Sequence, residues 1–493
     1  MNPAPSSRSS APVLGPDLIT ELDAGLAIAG SSLGTTFIAL PAPVIPGAAI
    51  VDEMREHALV AWASAELSLV GVDVAVELRG RDQARWADVI AGAHAFATNT
   101  ADVDDEPRDT MPALDADAPL REQPLRAVIG GKTVPVEALG FARPRFIGGA
   151  AFAPGAADKA PWTGFGDAWF MLPRWTYVSA GDRALLVLAV DARAAADAAR
   201  WRDQLGLFRT AFTATLTAGQ PALVELTPAA ADTWRTQVTD ITDAIARGEC
   251  NKIVAARTCS VQLGGSVRLA GVLSVLDERH ADTVRVLVKP PNAGALIAAT
   301  PERLVRRDGD LVECDALAGS ISPNGNADAA EATLRASAKD QNEHQLVVDA
   351  IRTALADTGD VSAPTQPSVK RLRHIIHLHT PFRTMLRSPR HVLELAQRLH
   401  PTPAVGGTPG PFAREWIATH EPVARGWYSA PVGWFDLDGN GELAVALRMG
   451  VVANNKAHLW AGGGIVAGSD PDKELAETEM KLRAMLNALG VQS

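Results

Sequence analysis

Three ionisable residues near the C-terminus, Glu474, Glu477 and Lys481, are spaced so that one helix would turn them to the same side. They follow Gly462-Gly463-Gly464, a glycine run read as closing an apolar strand. Two carboxylates and an ammonium beside bare backbone can hold a hard divalent cation and an anionic substrate together. The same spacing also suits a solvated helix face with one salt bridge, which is what charge runs usually are. Spacing alone leaves both readings open.

Other residues extend the first reading. Asp340 and Glu343, in KDQNEHQLVV, share a helix face, and four carboxylates from two helices would make a believable magnesium site. Lys252 opens the apolar stretch KIVAA, as either a buried base or a lysine at a strand end. Glu302 follows the proline that ends ALIAAT. It is either a general acid or a partner for Arg303, Arg306 or Arg307. His377 lies in the apolar run IIHLHTPF, where a hydrogen-bonded core histidine is the commoner outcome. Arg448 is read as closing the strand ELAVALR, and an inward arginine there needs an anion, for which a carboxylate offers two oxygens. Tyr428 is one of two tyrosines in the chain and so a clean probe.

The elements that must position these groups are partly legible. Trp234, Val238, Ile241 and Ile245 recur at helical spacing and Gly248 is a natural stop. Strands are expected at 253–256, through 295–320 with Asp308-Gly309 as a hairpin turn, at 374–378 and through 431–452. Helices are expected at 51–65, 327–357, 392–399 and 412–420. Asp436, Asp438 and Asn440 imitate the start of a calcium loop, but its twelfth position is Leu447, so a hairpin turn is expected there instead. Mixed helices, strands and hairpins predict an α+β (α/β) fold with large, mostly antiparallel sheets. Residues 1–16 read as a disordered tail, 17–225 as a strand-rich half containing an acidic, proline-rich loop at 100–124, and 226–493 as the chemistry-bearing region.

Composition sets outer limits. A chain of 493 residues, 47% hydrophobic, can bury a large core. Its 46 Lys and Arg against 57 Asp and Glu give a net charge of −11, which argues against nucleic-acid binding. A small anion would then need local cations or a metal to reverse the field. Cys250, Cys259 and Cys314 form neither a zinc pattern nor a disulfide framework. With no apolar stretch of membrane-spanning length, the expectation is a soluble, cytoplasmic protein with no membrane partner.

Taken in order, NKIVAART, ATPERL, ALAGS, KDQNEHQLVV, HLHT, RGWYSAPVGW, ALRMG and GGGIVAGSDPDKELAETEMKL resemble the chorismate-utilising enzymes across roughly residues 225–493. That family contains anthranilate synthase component I and the aminodeoxychorismate, salicylate and isochorismate synthases. The resemblance implies one large α/β unit with two big antiparallel sheets, a cleft between them, and a monomer. It places Asp340, Glu343, Glu474 and Glu477 at Mg²⁺, directly or through water, with the ion on the ring carboxylate of chorismate. Gly319, Ser320, Tyr428, Arg448, Gly462, Gly464 and Lys481 fall at substrate-binding positions, and His377 at an active-site histidine.

Lys252 discriminates among members. Amine-adding relatives usually carry glutamine there, whereas lysine implies that water is the nucleophile. Ala318 stands where aminodeoxychorismate synthase has its nucleophilic lysine. Isochorismate synthase and salicylate synthase remain, with an anthranilate-synthase-like component further off. ALAGS and HLHTPF look closer to isochorismate synthases, although His379 is unusual at its position. The implied mechanism has neutral Lys252 deprotonating a water that attacks C2, while protonated Glu302 donates to the departing C4 hydroxyl.

Overall fold

A computed structural model describes residues 17–98, 125–216, 219–228, 230–323, 325–373 and 375–491. The expected tail at 1–16 and the acidic stretch at 100–124 lie outside them. The strand Lys252–Leu263 pairs antiparallel with Leu223–Pro228 on one side and Lys456–Val466 on the other. From Lys456–Val466 the pairing runs through Met449–Ala453, Ala295–Thr300, Val284–Lys289, Leu59–Ala63 and Ser68–Gly80 to Ala168–Ala180. There it divides. One branch goes through Arg183–Val190 to Thr36–Pro41. The other goes through Arg145–Ala150, Pro431–Asp436, Gly441–Val445, Arg303–Asp308 and Leu311–Ile321 to Ile376–Leu386.

The two expected sheets are therefore joined, through strands of the N-terminal half, into one hydrogen-bonded network of 22 strands. Among the described residues every pairing is antiparallel except Thr36–Pro41 with Arg126–Ile129. The two ends of this network form opposite sides of the cleft, and the chain passes between them at Pro301-Glu302, between Ala295–Thr300 and Arg303–Asp308. No helix among the described residues is long and apolar enough to cross a membrane, and the three cysteines are free and buried.

Several elements depart from the sequence expectations. The helix expected at 51–65 is instead Gly47–Glu53 followed by the strand Leu59–Ala63, whose main chain is claimed by neighbours on both sides. The single helix expected at 327–357 is two, Ala327–Ala336 and Ala338–Leu355. Ser337 leaves helical geometry between them and its hydroxyl accepts the Asp340 amide at 3.3 Å, capping the second helix. The strand expected at 374–378 runs Ile376–Leu386, through Pro381. That proline falls in the gap between two short partners, Ser368–Arg371 and Gly359–Ser362, so its missing N–H breaks no ladder. The glycine run does not close its strand but lies inside Lys456–Val466. Arg448 does not close one either. The strand ends at Val445, and Arg448 sits with φ of 47° in the turn before Met449–Ala453. Asp436 accepts the amides of Asp438 and Asn440 at 3.0 and 2.9 Å, the hairpin turn expected there.

Candidate active site

The helix Ala231–Ala246 packs Trp234, Val238 and Ile241 inward and stops at Gly248, so Lys252 begins its strand from a fixed point. Lys252 is fully buried and its Nζ donates to Glu343 Oε1 at 2.8 Å. Beside it the glycines are required by what faces them. A Cβ at Gly464 would lie 2.5 Å from Glu343 Oε1 and 2.9 Å from Lys252 Cε. One at Gly462 would lie 2.8 Å from the Tyr428 hydroxyl, and one at Gly463 would lie 3.2 Å from Glu474 Oε2. Side chains converge here on a glycine stretch that contributes none of its own.

Gly319 works differently. It has φ of 72° where the register between Leu311–Ile321 and Ile376–Leu386 slips, and a Cβ there would press Asp340 at 3.0 Å. This bulge re-aims Ser320, whose hydroxyl donates to Glu477 at 3.1 Å.

Glu302 is buried where the chain crosses between the two sides of the cleft. Lys370 steadies the crossing by donating to the Pro301 carbonyl at 3.1 Å. Burial pushes the Glu302 carboxyl up to about 7, against the pull of Lys252. At neutral pH it is substantially protonated, as a general acid must be. Behind it, burial pushes Asp315 up, but the hydrogen bond with His379 at 2.9 Å and the charges of His379, Lys370 and Arg303 together hold it below its ordinary range. His379 thus has a carboxylate partner.

Helices form the other wall. Glu343 pairs with Lys252, Glu474 with Lys339 and Glu477 with Lys481, each at 2.8 Å. Ser469 also donates to Glu474, at 2.8 Å. Burial foremost, with the charges of Glu343 and Glu477 adding to it, pushes the Asp340 carboxyl up. Burial also pushes Glu477 up, but Lys481 and Ser320 overcome this and hold it low. The four carboxylates are near enough to repel one another, and lysine ammoniums neutralise three of them. Among the described residues, no three His, Cys, Asp or Glu side chains are arranged as a metal-ligand set.

Three further side chains complete the cleft. Burial holds His377 down to about 3, so it is neutral, and its Nε2 is sealed from solvent without a hydrogen-bond partner. Burial pushes Tyr428 up to about 12, which keeps its hydroxyl protonated, and the ring stacks on Trp460 at 6.3 Å. Burial lowers Arg448 to about 10, which leaves it charged. A left-handed arginine is costly backbone, held here at the cleft wall. Glu302, Gly319, Ser320, Asp340, Glu343, His377, Tyr428, Arg448, Gly462, Gly464, Glu474, Glu477 and Lys481 line one cleft, with Lys252 directly behind Gly464.

Three features escaped the sequence. Lys339 and Trp460 line the cleft, and their only advance signals were adjacency to Asp340 and an aromatic two residues before the glycine run. The third is a support. Arg425 grips Glu421 with two hydrogen bonds of 2.6 and 2.9 Å and also donates to the carbonyls of Val254 and Val405 and to Ser429. Glu421 in turn accepts the Ala256 amide at 3.0 Å. The pair ties the Lys252 strand to the segments bearing Tyr428 and Val405.

A family model described as a chorismate binding enzyme matches residues 126–490, beginning about 100 residues before the stretch where the motifs were legible. The salicylate biosynthesis isochorismate synthase of Pseudomonas aeruginosa is 38% identical over 361 residues, 70% of this chain and 74% of that protein. The isochorismate synthase MenF of Bacillus subtilis is 36% identical over 264 residues, 52% of this chain and 56% of its own length. The structure of the menaquinone-specific isochorismate synthase MenF from Escherichia coli superposes with a TM-score of 0.74 at 23% identity, covering 96% of this chain and 99% of that one, and shares the fold. The chain belongs to the chorismate-binding enzyme family.

Proposed function

We propose that the protein is an isochorismate synthase, an isomerase that adds water to C2 of chorismate and expels the C4 hydroxyl. The observation that carries this reading is Glu302, a carboxylic acid kept substantially protonated at neutral pH in the same cleft that Lys252 backs. Lys252 takes the proton of the attacking water. For that its amine must be neutral, so its ion pair with Glu343 must open first. Glu302 protonates the leaving hydroxyl. Arg448 and the Tyr428 hydroxyl hold one substrate carboxylate, and Lys481, Ser320, Gly319 and the backbone of Gly462 and Gly464 orient the rest. Neutral His377 offers its unpartnered Nε2 to a substrate oxygen. Ala318 leaves no amine nucleophile at its position in the cleft wall.

The donor chemistry of Asp340, Glu343, Glu474 and Glu477 fits magnesium, a hard cation that takes few protein carboxylates and retains waters. Their mutual repulsion, and the lysines that pair with three of the four here, fit a site built for positive charge. When bound, the ion would neutralise and position the ring carboxylate of the substrate. The similar proteins include a salicylate biosynthesis isochorismate synthase and a menaquinone-specific one. The reading extends to a monomer working in the cytoplasm, feeding menaquinone or siderophore synthesis.

The test is to incubate purified protein with chorismate and Mg²⁺, with and without EDTA, and resolve the products by chromatography. A chorismate–isochorismate mixture that EDTA abolishes is expected. Salicylate with equimolar pyruvate would move the assignment to salicylate synthase, and absence of turnover would overturn it.

A further inference from the structure

Beside the active cleft lies a second cavity of about 540 Å³, against about 120 Å³ for the cleft itself, and Arg448 and Lys481 belong to the walls of both. Its outer rim carries Arg279 at the end of the helix Leu269–Arg279, Arg373 just beyond the strand Ser368–Arg371, and Arg483 two residues past Lys481 on Pro471–Ala488. All three are exposed, and Arg448 at the inner end is half-buried. Among the described residues, Glu278 is the one acid lining the cavity, while Asp282 acts on Arg448 from a distance.

None of the guanidiniums of Arg279, Arg373, Arg448 and Arg483 makes a hydrogen bond or ion pair with a described residue. Elsewhere arginines such as Arg235, Arg371 and Arg425 are paired at 2.6–2.9 Å. On a chain of net charge −11, four unpartnered guanidiniums around one cavity reverse the local field. A concave site of single sign focuses that field, raises the local concentration of the opposite ion and speeds its capture by about 10- to 10³-fold, an effect that salt erases.

We propose that this cavity is an anion-collecting antechamber. A small dicarboxylate is captured at the arginine rim and passed inward to Arg448 and Lys481, which stand in both spaces. The ligand class rests on the reading of the cleft as a chorismate site, whereas the charge arrangement does not.

The test is stopped-flow quenching of tryptophan fluorescence by chorismate over a range of ionic strength, using the full chain and its Arg279→Gln/Arg373→Gln/Arg483→Gln variant. Trp460 in the cleft wall supplies the signal. The wild-type association rate should fall steeply with salt. The triple variant should bind about tenfold or more slowly at low salt, with a flattened salt dependence and unchanged kcat at saturation. The matching Arg→Lys triple should keep most of the wild-type rate. None of these side chains has a partner to lose, so melting temperatures should coincide. A glutamine triple with the wild-type rate and salt slope would overturn the antechamber, while isochorismate production by the same samples reports separately on the function. Slowed binding without product would sink the function and leave the antechamber standing, and absence of any binding signal would sink both.

Discussion

The two walls of the cleft are built on different principles. The sheet wall is finished. Its glycines lie under ordered side chains, Glu302 and His377 have had their protonation set by burial, and Arg425 with Glu421 locks the strands behind them. The helix wall is provisional. Partly exposed Asp340, Glu343 and Glu477 and buried Glu474 gather negative charge, and lysine ammoniums pair with three of them. On the proposed function, the acid Glu302 is set by burial in the sheet wall, and the carboxylates that would trade lysine for a metal cation stand in the helix wall.

The sharpest way to break this division is to remove the sheet wall's chemistry. Lys252→Gln or Glu302→Gln should each lower kcat for isochorismate formation by about 10²–10⁴-fold while the protein still folds. Near-wild-type turnover in either variant would end the acid–base assignment. Next comes rigidity. Arg425→Met leaves Glu421 buried and unpaired, so denaturant unfolding should show a loss of about 3–5 kcal/mol. Pairing it with Glu421→Leu should recover part of that loss, and if the single change is tolerated the pair is not the lock described above.

The pH dependence sharpens the comparison further. Glu302 works as an acid only while protonated and its carboxyl is raised to about 7, so the alkaline limb of kcat/KM should fall about tenfold per unit above that pH. A profile flat to pH 9 would show that some other group donates the proton. The smallest effect belongs to the helix wall. Lys339→Met removes the ammonium paired with Glu474, so calorimetry of Mg²⁺ binding to the substrate-free protein should show affinity tightened by about two- to fivefold, as befits a partly exposed pair. Weakened binding would mean that Lys339 assists the ion instead of standing in for it.

The helix wall was the more legible of the two in the sequence. Asp340 with Glu343, and Glu474 with Glu477, sit three residues apart, and helical periodicity alone turns each pair to one side. In the sheet wall Lys252 and Glu302 were singled out with their alternatives open, and only the family resemblance chose between them, because what a strand residue faces is decided by partners far away in sequence. The glycine run looks like a strand end until Tyr428, Glu343 and Glu474 are placed opposite it. The Arg425–Glu421 pair looks like an ordinary i,i+4 couple until both are buried. Ser337, unremarkable in sequence, breaks a long helical pattern because its hydroxyl caps a new start. Residues 51–65 were misread because Leu59–Ala63 is claimed from both sides by sheet partners, one of them more than 200 residues away.

The most direct test of the central claim follows the oxygen. Purified protein should be given chorismate and Mg²⁺ in water enriched in ¹⁸O, and the isochorismate analysed by mass spectrometry. The account predicts one solvent oxygen in each isochorismate, located at the new C2 hydroxyl, with Lys252→Gln failing to incorporate it. Isochorismate formed without solvent oxygen would contradict water as the nucleophile and, with it, the role given to Lys252.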